Sequence, residues 1–242
     1  MEHRAFDYKS KTDFWADSVC LEHSLPFQDD LEILRSPVML NDREVRNRFC
    51  AQPIEGGDAC DDGAPSEHTM GRYEELAKGG SGIIWMESTA VSEEGKSVPH
   101  QLWIRDETVD AFERLVAHIH QKSDPFTVLQ LTHSGRNSNP DGRHLAVCAY
   151  ENARLFRQNY RIISDDELDR LLEDYVHAAI FAKKAGFNAV DIRACHGYLL
   201  HELLSAYERT GKYGGTFENR TRLLYDIIRE VKKETNLTTK PG

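Results

Sequence analysis

The stretch SDDELDRLLEDYVHAAIFAKKAGFNAVDI, residues 164–192, decides the fold class, because it reads as one helix followed at once by one buried strand. Ser164 and Glu167 have the S-x-x-E spacing of a capping box, in which two side chains satisfy amides left free at a helix start. From there Leu168, Leu171, Leu172, Tyr175, Ala179 and Ala182 recur at helical spacing and form one apolar face. Gly186 suits a left-handed helix stop. FNAVDI (187–192) is then short, apolar and bounded, as a strand covered on both sides would be.

Outward from this unit the alternation repeats. RFCAQPI (48–54) is strand-like and runs into the glycine-rich EGGDACDDGAPS. SEHTMGRYEELAKGG (66–80) is helical, GIIWMES (82–88) a strand, DETVDAFERLVAHIHQK (106–122) a helix and FTVLQLT (126–132) a strand. A last helix covers roughly 216–234, with Leu223, Leu224, Ile227, Ile228 and Val231 along one side. Strands separated by helices imply a parallel sheet, either doubly wound or a (β/α)8 barrel. In both, chemistry collects at the carboxyl ends of the strands. Here those ends carry Glu55, then Glu87 and Ser88, then His133 and Arg136, then Arg193, His196 and Tyr198. Residues 1–35 are polar and weakly patterned and read as an N-terminal arm, leaving 36–242 as the α/β unit. The stretch from His133 to Ile163 is too long for a plain connector and is expected to be a lid or substrate loop. GGSG (79–82) precedes its strand, so it is a helix stop and not a phosphate cradle.

Composition narrows the function. Forty acidic against 30 basic residues give a net charge of −10, which argues against a nucleic-acid partner. No apolar run approaches the roughly 18 residues of a membrane span, and the first residues do not resemble a signal peptide. Five cysteines without a C-x-x-C pair favour reduced thiols and a cytoplasmic location. His133, His196 and His201 match no zinc spacing, so no metal is expected. His201 is expected to cap or pack its loop, and Cys195 to fill a small apolar space.

NRFCAQPIEGG, GIIWMESTAV, LQLTHSGR and CHGYLLHELLS…YGGTFENRTR, in this order, resemble the Old Yellow Enzyme family of NADH:flavin oxidoreductases and ene-reductases, over roughly residues 34–235. The resemblance implies an FMN-binding TIM barrel of which this chain carries about the first four βα units, an incomplete barrel whose pattern stops at KKETNLTTKPG (232–242), where a fifth strand would begin. It implies that the backbone from Pro53 through Ile54 to Glu55, and Ser88, lie against the flavin, and that Gln130 hydrogen-bonds the ring's pyrimidine edge. Glu55 stands where relatives often place Cys or Thr. The fourth-strand loop usually reads H-x-x-H-x-Y or H-x-x-N-x-Y. His196 matches its second carbonyl-binding position, Tyr198 its proton donor, and Arg193 replaces its first His.

The implied reaction is reduction of an α,β-unsaturated carbonyl compound, a small enone-type substrate, by NAD(P)H through FMN. Donors beside the carbonyl oxygen stabilise the developing enolate, and a tyrosine protonates the α-carbon. Arg193 has two readings: it binds a substrate carbonyl bearing an adjacent anionic group or polarises the carbonyl more strongly than imidazole, or it is neutralised inside the barrel by Asp191, Glu55 or Glu87. The iron–sulfur cysteines of longer relatives would lie outside this segment. A homo-oligomer or a complementary barrel half is the expected protein partner. The rival to the enzyme is a catalytically silent half-barrel, and a cofactor-free hydrolase or lyase is weaker still, since no nucleophile–base pair stands out.

Overall fold

The computed structural model describes residues 7–20, 29–40, 42–138, 145–151, 159–236 and 238–241. Helices α1 (Lys11–Cys20) and α2 (Glu32–Arg35) come first and are largely exposed over their described side chains. A hairpin of β1 (Val38–Leu40) and β2 (Arg43–Val45) follows. Next β3 (Cys50–Ala51), α3 (Glu67–Lys78), β4 (Ile83–Ala90), α4 (Val109–Ser123) and β5 (Phe126–Thr132) alternate. Two short strands, β6 (Ala146–Cys148) and β7 (Tyr160–Ile162), pair parallel to each other within the expected lid region. Of that region, residues 139–144 and 152–158 lie outside the described residues. Then come α5 (Asp165–Lys184), β8 (Ala189–Ile192), α6 (Leu199–Leu204), α7 (Phe217–Thr235) and β9 (Thr238–Pro241).

The main sheet has the order β3-β4-β5-β8-β9, and every neighbouring pair is parallel. Spatial order is chain order. A doubly wound sheet reverses its order at a switch point, whereas a (β/α) barrel does not, so the sequential arrangement selects the barrel type. The sheet is open, with β3 and β9 as its outer strands among the described residues. The tail where the sequence pattern ran out adds a fifth strand, with Thr238 to Pro241 in register with Ala189 to Ile192.

Local chemistry forms these elements as read. The Ser164 hydroxyl accepts from Glu167 N at 3.2 Å, and the Glu167 carboxylate accepts from Ser164 N at 2.8 Å. Gly186 ends α5 with φ of +94°, a backbone that a β-carbon disfavours. Leu168, Leu171, Tyr175, Ala179 and Ala182 are buried, while Leu172 is half-buried. They share one core with Leu223, Ile227 and Val231 of α7, where each fully buried large side chain contributes about 1.5–3 kcal/mol.

The two faces of the sheet differ. Ile84, Met86, Leu129, Leu131, Val190 and Ile192 point to the helices and are all buried to 1% exposure or less. On the other face, Phe126, Val128 and Ala189 form a second cluster with Val45, against which Val38, Leu40, Ile83 and Trp85 pack. The hairpin therefore plugs the amino-terminal end of the barrel interior. Along the same inner face the residues turn polar towards the carboxyl ends, at Gln130 and Asp191.

Candidate active site at the carboxyl ends of the strands

An inner layer sits above the apolar plug. Asp191 Oδ2 accepts from Trp85 Nε1 at 3.1 Å and from Gln130 Nε2 at 2.7 Å. Beside it β4 carries a bulge, where the register shifts between Met86 and Ser88. The extra residue resets the alternation, so Ser88 is brought opposite Gln130 and Glu87 turns towards α3. There the Glu87 carboxylate accepts from Gly56 N at 2.8 Å and from Tyr73 OH at 3.2 Å, and it pairs with Arg72, which also holds Asp58. Burial pushes the Glu87 carboxyl up, against the downward pull of the Gly56 amide and the Arg72 guanidinium. This cluster fastens the loop after β3 to the sheet.

That loop delivers Glu55 to the mouth. Glu55 Oε1 accepts from Arg193 Nη1 at 2.7 Å, and Tyr198 OH lies 3.5 Å from the same oxygen. Glu55 Oε2 accepts from Ser97 Oγ at 3.0 Å. The Arg193 guanidinium carbon stands 4.1 Å from the centroid of the Tyr198 ring. Burial works against the arginine's charge, yet its bond to Glu55 prevails and leaves its pKa raised. Of the three carboxylates expected to neutralise Arg193, Glu55 does so. Glu87 is engaged by Arg72 and Tyr73, and Asp191 by Trp85 and Gln130.

His196 stands apart from this trio. It is exposed, has φ of +59°, and its Nδ1 lies 2.9 Å from Cys195 Sγ. His201 Nδ1 accepts from Gly197 N at 2.8 Å and so closes the loop, as expected. Tyr198 immediately precedes α6, whose first residue is pinned by Leu199 N donating to His133 O at 3.2 Å. Gly135, at φ of +59°, lets β5's following turn pass against Leu199, and Arg136 pairs with Glu202 of α6 in a buried contact. His133 itself is enclosed, and burial pulls its pKa down to about 4.

The residues expected to face FMN differ in exposure. Ile54, a large apolar side chain at a strand end, is 76% exposed, and Pro53 beside it is half-buried. The Ser88 hydroxyl is buried without a hydrogen-bond partner, opposite Gln130, whose amide nitrogen is committed to Asp191. Pro53, Ile54, Glu55, Ser88 and Gln130 would hold the group.

Sequence reading missed Ser97 and Gln101. Ser97 N donates to Gln101 Oε1 at 2.6 Å, and Gln101 Nε2 donates to Ser88 O at 2.9 Å, which ties the loop after β4 to Glu55 and Ser88. The available signal was the length of that loop, from Val91 to Thr108, at the functional end of the sheet. Among the described residues no helix is long and apolar enough to cross a membrane, and no group of three or more His, Cys, Asp or Glu could hold a metal ion.

Comparison with known proteins agrees with this construction. The model of the NADH:flavin oxidoreductase / NADH oxidase family matches residues 34–237. The NADPH dehydrogenase of Bacillus subtilis (strain 168) is 32% identical over 204 residues, which are 83% of this chain and 60% of the relative. That of Listeria innocua is 33% identical over 199 residues, 81% of this chain and 57% of the relative. The chain thus spans well under two thirds of the length of these relatives. The old yellow enzyme homologue from Zymomonas mobilis superposes with a TM-score of 0.74 at 31% identity, covering 86% of this chain and 62% of its own. Old Yellow Enzyme from Pichia sp. AKU4542, at 24% identity and TM-score 0.77, shares the fold over 86% of this chain and 59% of its own. FMN and a nicotinamide coenzyme are the redox pair of this group. With the sequential parallel sheet and the family match over 34–237 in agreement, this chain belongs to the NADH:flavin oxidoreductase / NADH oxidase family, the Old Yellow Enzyme group, and carries an incomplete barrel of that type.

Proposed function

We propose that the chain serves an FMN-dependent NAD(P)H oxidoreductase that reduces activated C=C bonds of α,β-unsaturated carbonyl compounds. The observation that carries this reading is the meeting of Glu55, Arg193 and Tyr198 at the barrel mouth, with Gln130 and Ser88 just below. FMN, when bound there, supplies hydride to the β-carbon. Arg193 offers guanidinium protons other than the one held by Glu55 to the carbonyl oxygen, on which negative charge grows, while His196 stays apart at the exposed lip with its Nδ1 on Cys195. Tyr198 holds a phenol proton for the α-carbon, and its ring is fixed by the guanidinium beneath it. The Glu87–Arg72–Asp58 cluster keeps the loop that carries Pro53, Ile54 and Glu55 in place.

The test is anaerobic flavin spectroscopy on the full chain loaded with FMN. NADPH should bleach the flavin and cyclohexenone should restore it. Tyr198→Phe should leave bleaching intact and slow restoration by roughly 100-fold, the lower end for a lost general acid. Restoration at an unchanged rate in that variant overturns the assignment.

A second reading is favoured by the open sheet, in which β3 and β9 each present an unpaired edge among the described residues. It holds that the chain is silent until joined to itself or to a complementary half. Protein that stays colourless with FMN alone, and elutes as an assembly, supports this second reading.

A further inference from the structure

We propose that Glu55 sets the charge of the substrate: paired with Arg193, it admits neutral activated alkenes and turns away those bearing a carboxylate beside the carbonyl. The inference rests on the enzymatic reading above and names the substrate class of the same site. A free arginine at this position would be a good carboxylate receptor, because its planar fork matches two carboxylate oxygens. This guanidinium is not free. Nη1 is bonded to Glu55 at 2.7 Å, one face is covered by the Tyr198 ring at 4.1 Å, and Nε is buried and reaches no acceptor. The side chain as a whole is 10% exposed, whereas Glu55 is 24% exposed and forms the outer wall.

Charge points the same way. Glu55 and Arg193 cancel each other. Behind the loop, Asp58 and Glu87 share the single cation Arg72. A carboxylated ligand would meet the more exposed Glu55 carboxylate before the arginine behind it, in a partly desolvated mouth where like charges repel strongly. Ser97 donates to the second oxygen of Glu55 at 3.0 Å, so swinging the carboxylate aside to release the arginine would break that bond as well.

The experiment uses the full chain with FMN and a matched pair of probes, a cyclohexenone carboxylate and its methyl ester, which differ by one charge. Dissociation constants are read by titration calorimetry, without turnover. The wild type should bind the ester roughly 10-fold or more tightly than the acid, the scale of one like-charge contact at a protein surface. Glu55→Gln should lower that ratio at least tenfold, and Glu55→Asp, which keeps the charge, should preserve it. Wild type that binds both probes equally overturns the proposal alone. So does a folded Glu55→Gln protein with an unchanged ratio. Wild type that binds neither probe removes the enzymatic reading as well. If the Gln variant does not fold, the wild-type ratio decides by itself.

Discussion

Acid should loosen the site through His133. This histidine directly follows β5, is 1% exposed, and its backbone oxygen pins the first residue of α6, directly after Tyr198. Burial is the first cause of its depressed pKa, with Arg161 adding to it and Glu94 opposing, and the result is a fall from 6.5 to about 4. A group that resists protonation in the folded state favours the unfolded chain once pH drops, because the unfolded chain takes the proton first. Above pH 6.5 the effect is absent. It grows as pH falls from 6.5 and is complete below 4. At about 1.4 kcal/mol for each tenfold change in proton affinity, the full loss is roughly 3 kcal/mol, of which about 2 kcal/mol falls between pH 7 and 5. The assay is urea unfolding at pH 7 and 5 on the wild type and on His133→Asn, which keeps an acceptor for Gly135 N. The variant will be less stable at pH 7, because its side chain is smaller. Its loss on acidification should nevertheless be about 2 kcal/mol less than that of the wild type. Equal losses in the two proteins would show that His133 does not resist protonation, and the argument from its burial would fall.

Two further substitutions test the local construction. Ser164→Ala removes the hydroxyl that accepts from Glu167 N and should cost about 1 kcal/mol, lowering the thermal midpoint by roughly 2–4 °C; an unchanged midpoint would deny the cap its role. Gly135→Ala places a β-carbon 2.7 Å from Leu199 N at φ of +59°, so it should cost roughly 2 kcal/mol or more and alter the near-ultraviolet signal of the tyrosines around α6. A normal spectrum and stability would mean that β5 and α6 do not depend on that close approach.

The helices and their faces were legible because their signals are local. Ser164, Glu167 and Gly186 act within a few residues of themselves, and an apolar stripe is visible without knowing what it packs on. The strand ends were legible as a set, since four of them carry polar groups where a parallel sheet places its chemistry. The pairings across that mouth were not. Arg193 and Glu55 are 138 residues apart, and three carboxylates were equally good partners on paper. The bulge in β4 decided the matter, because one extra residue sends Glu87 to α3 and leaves Ser88 facing inward, and alternation in the sequence cannot show such a slip. Ser97 lay in an unpatterned loop. His196 was placed by a motif, and the motif does not carry the left-handed backbone that leaves its ring at the exposed lip. The fifth strand, TTKP, is too short and polar to register as one until β8 offers it a ladder.

The sequential order of the sheet has a kinetic consequence. Each strand of the main sheet finds its partner in the strand of that sheet made before it, so β4 can dock on β3, β5 on β4 and β8 on β5 while synthesis proceeds from the ribosome. Loop closure is then a series of steps instead of one long search, with new strands added at one edge while the β3 edge stays as it was.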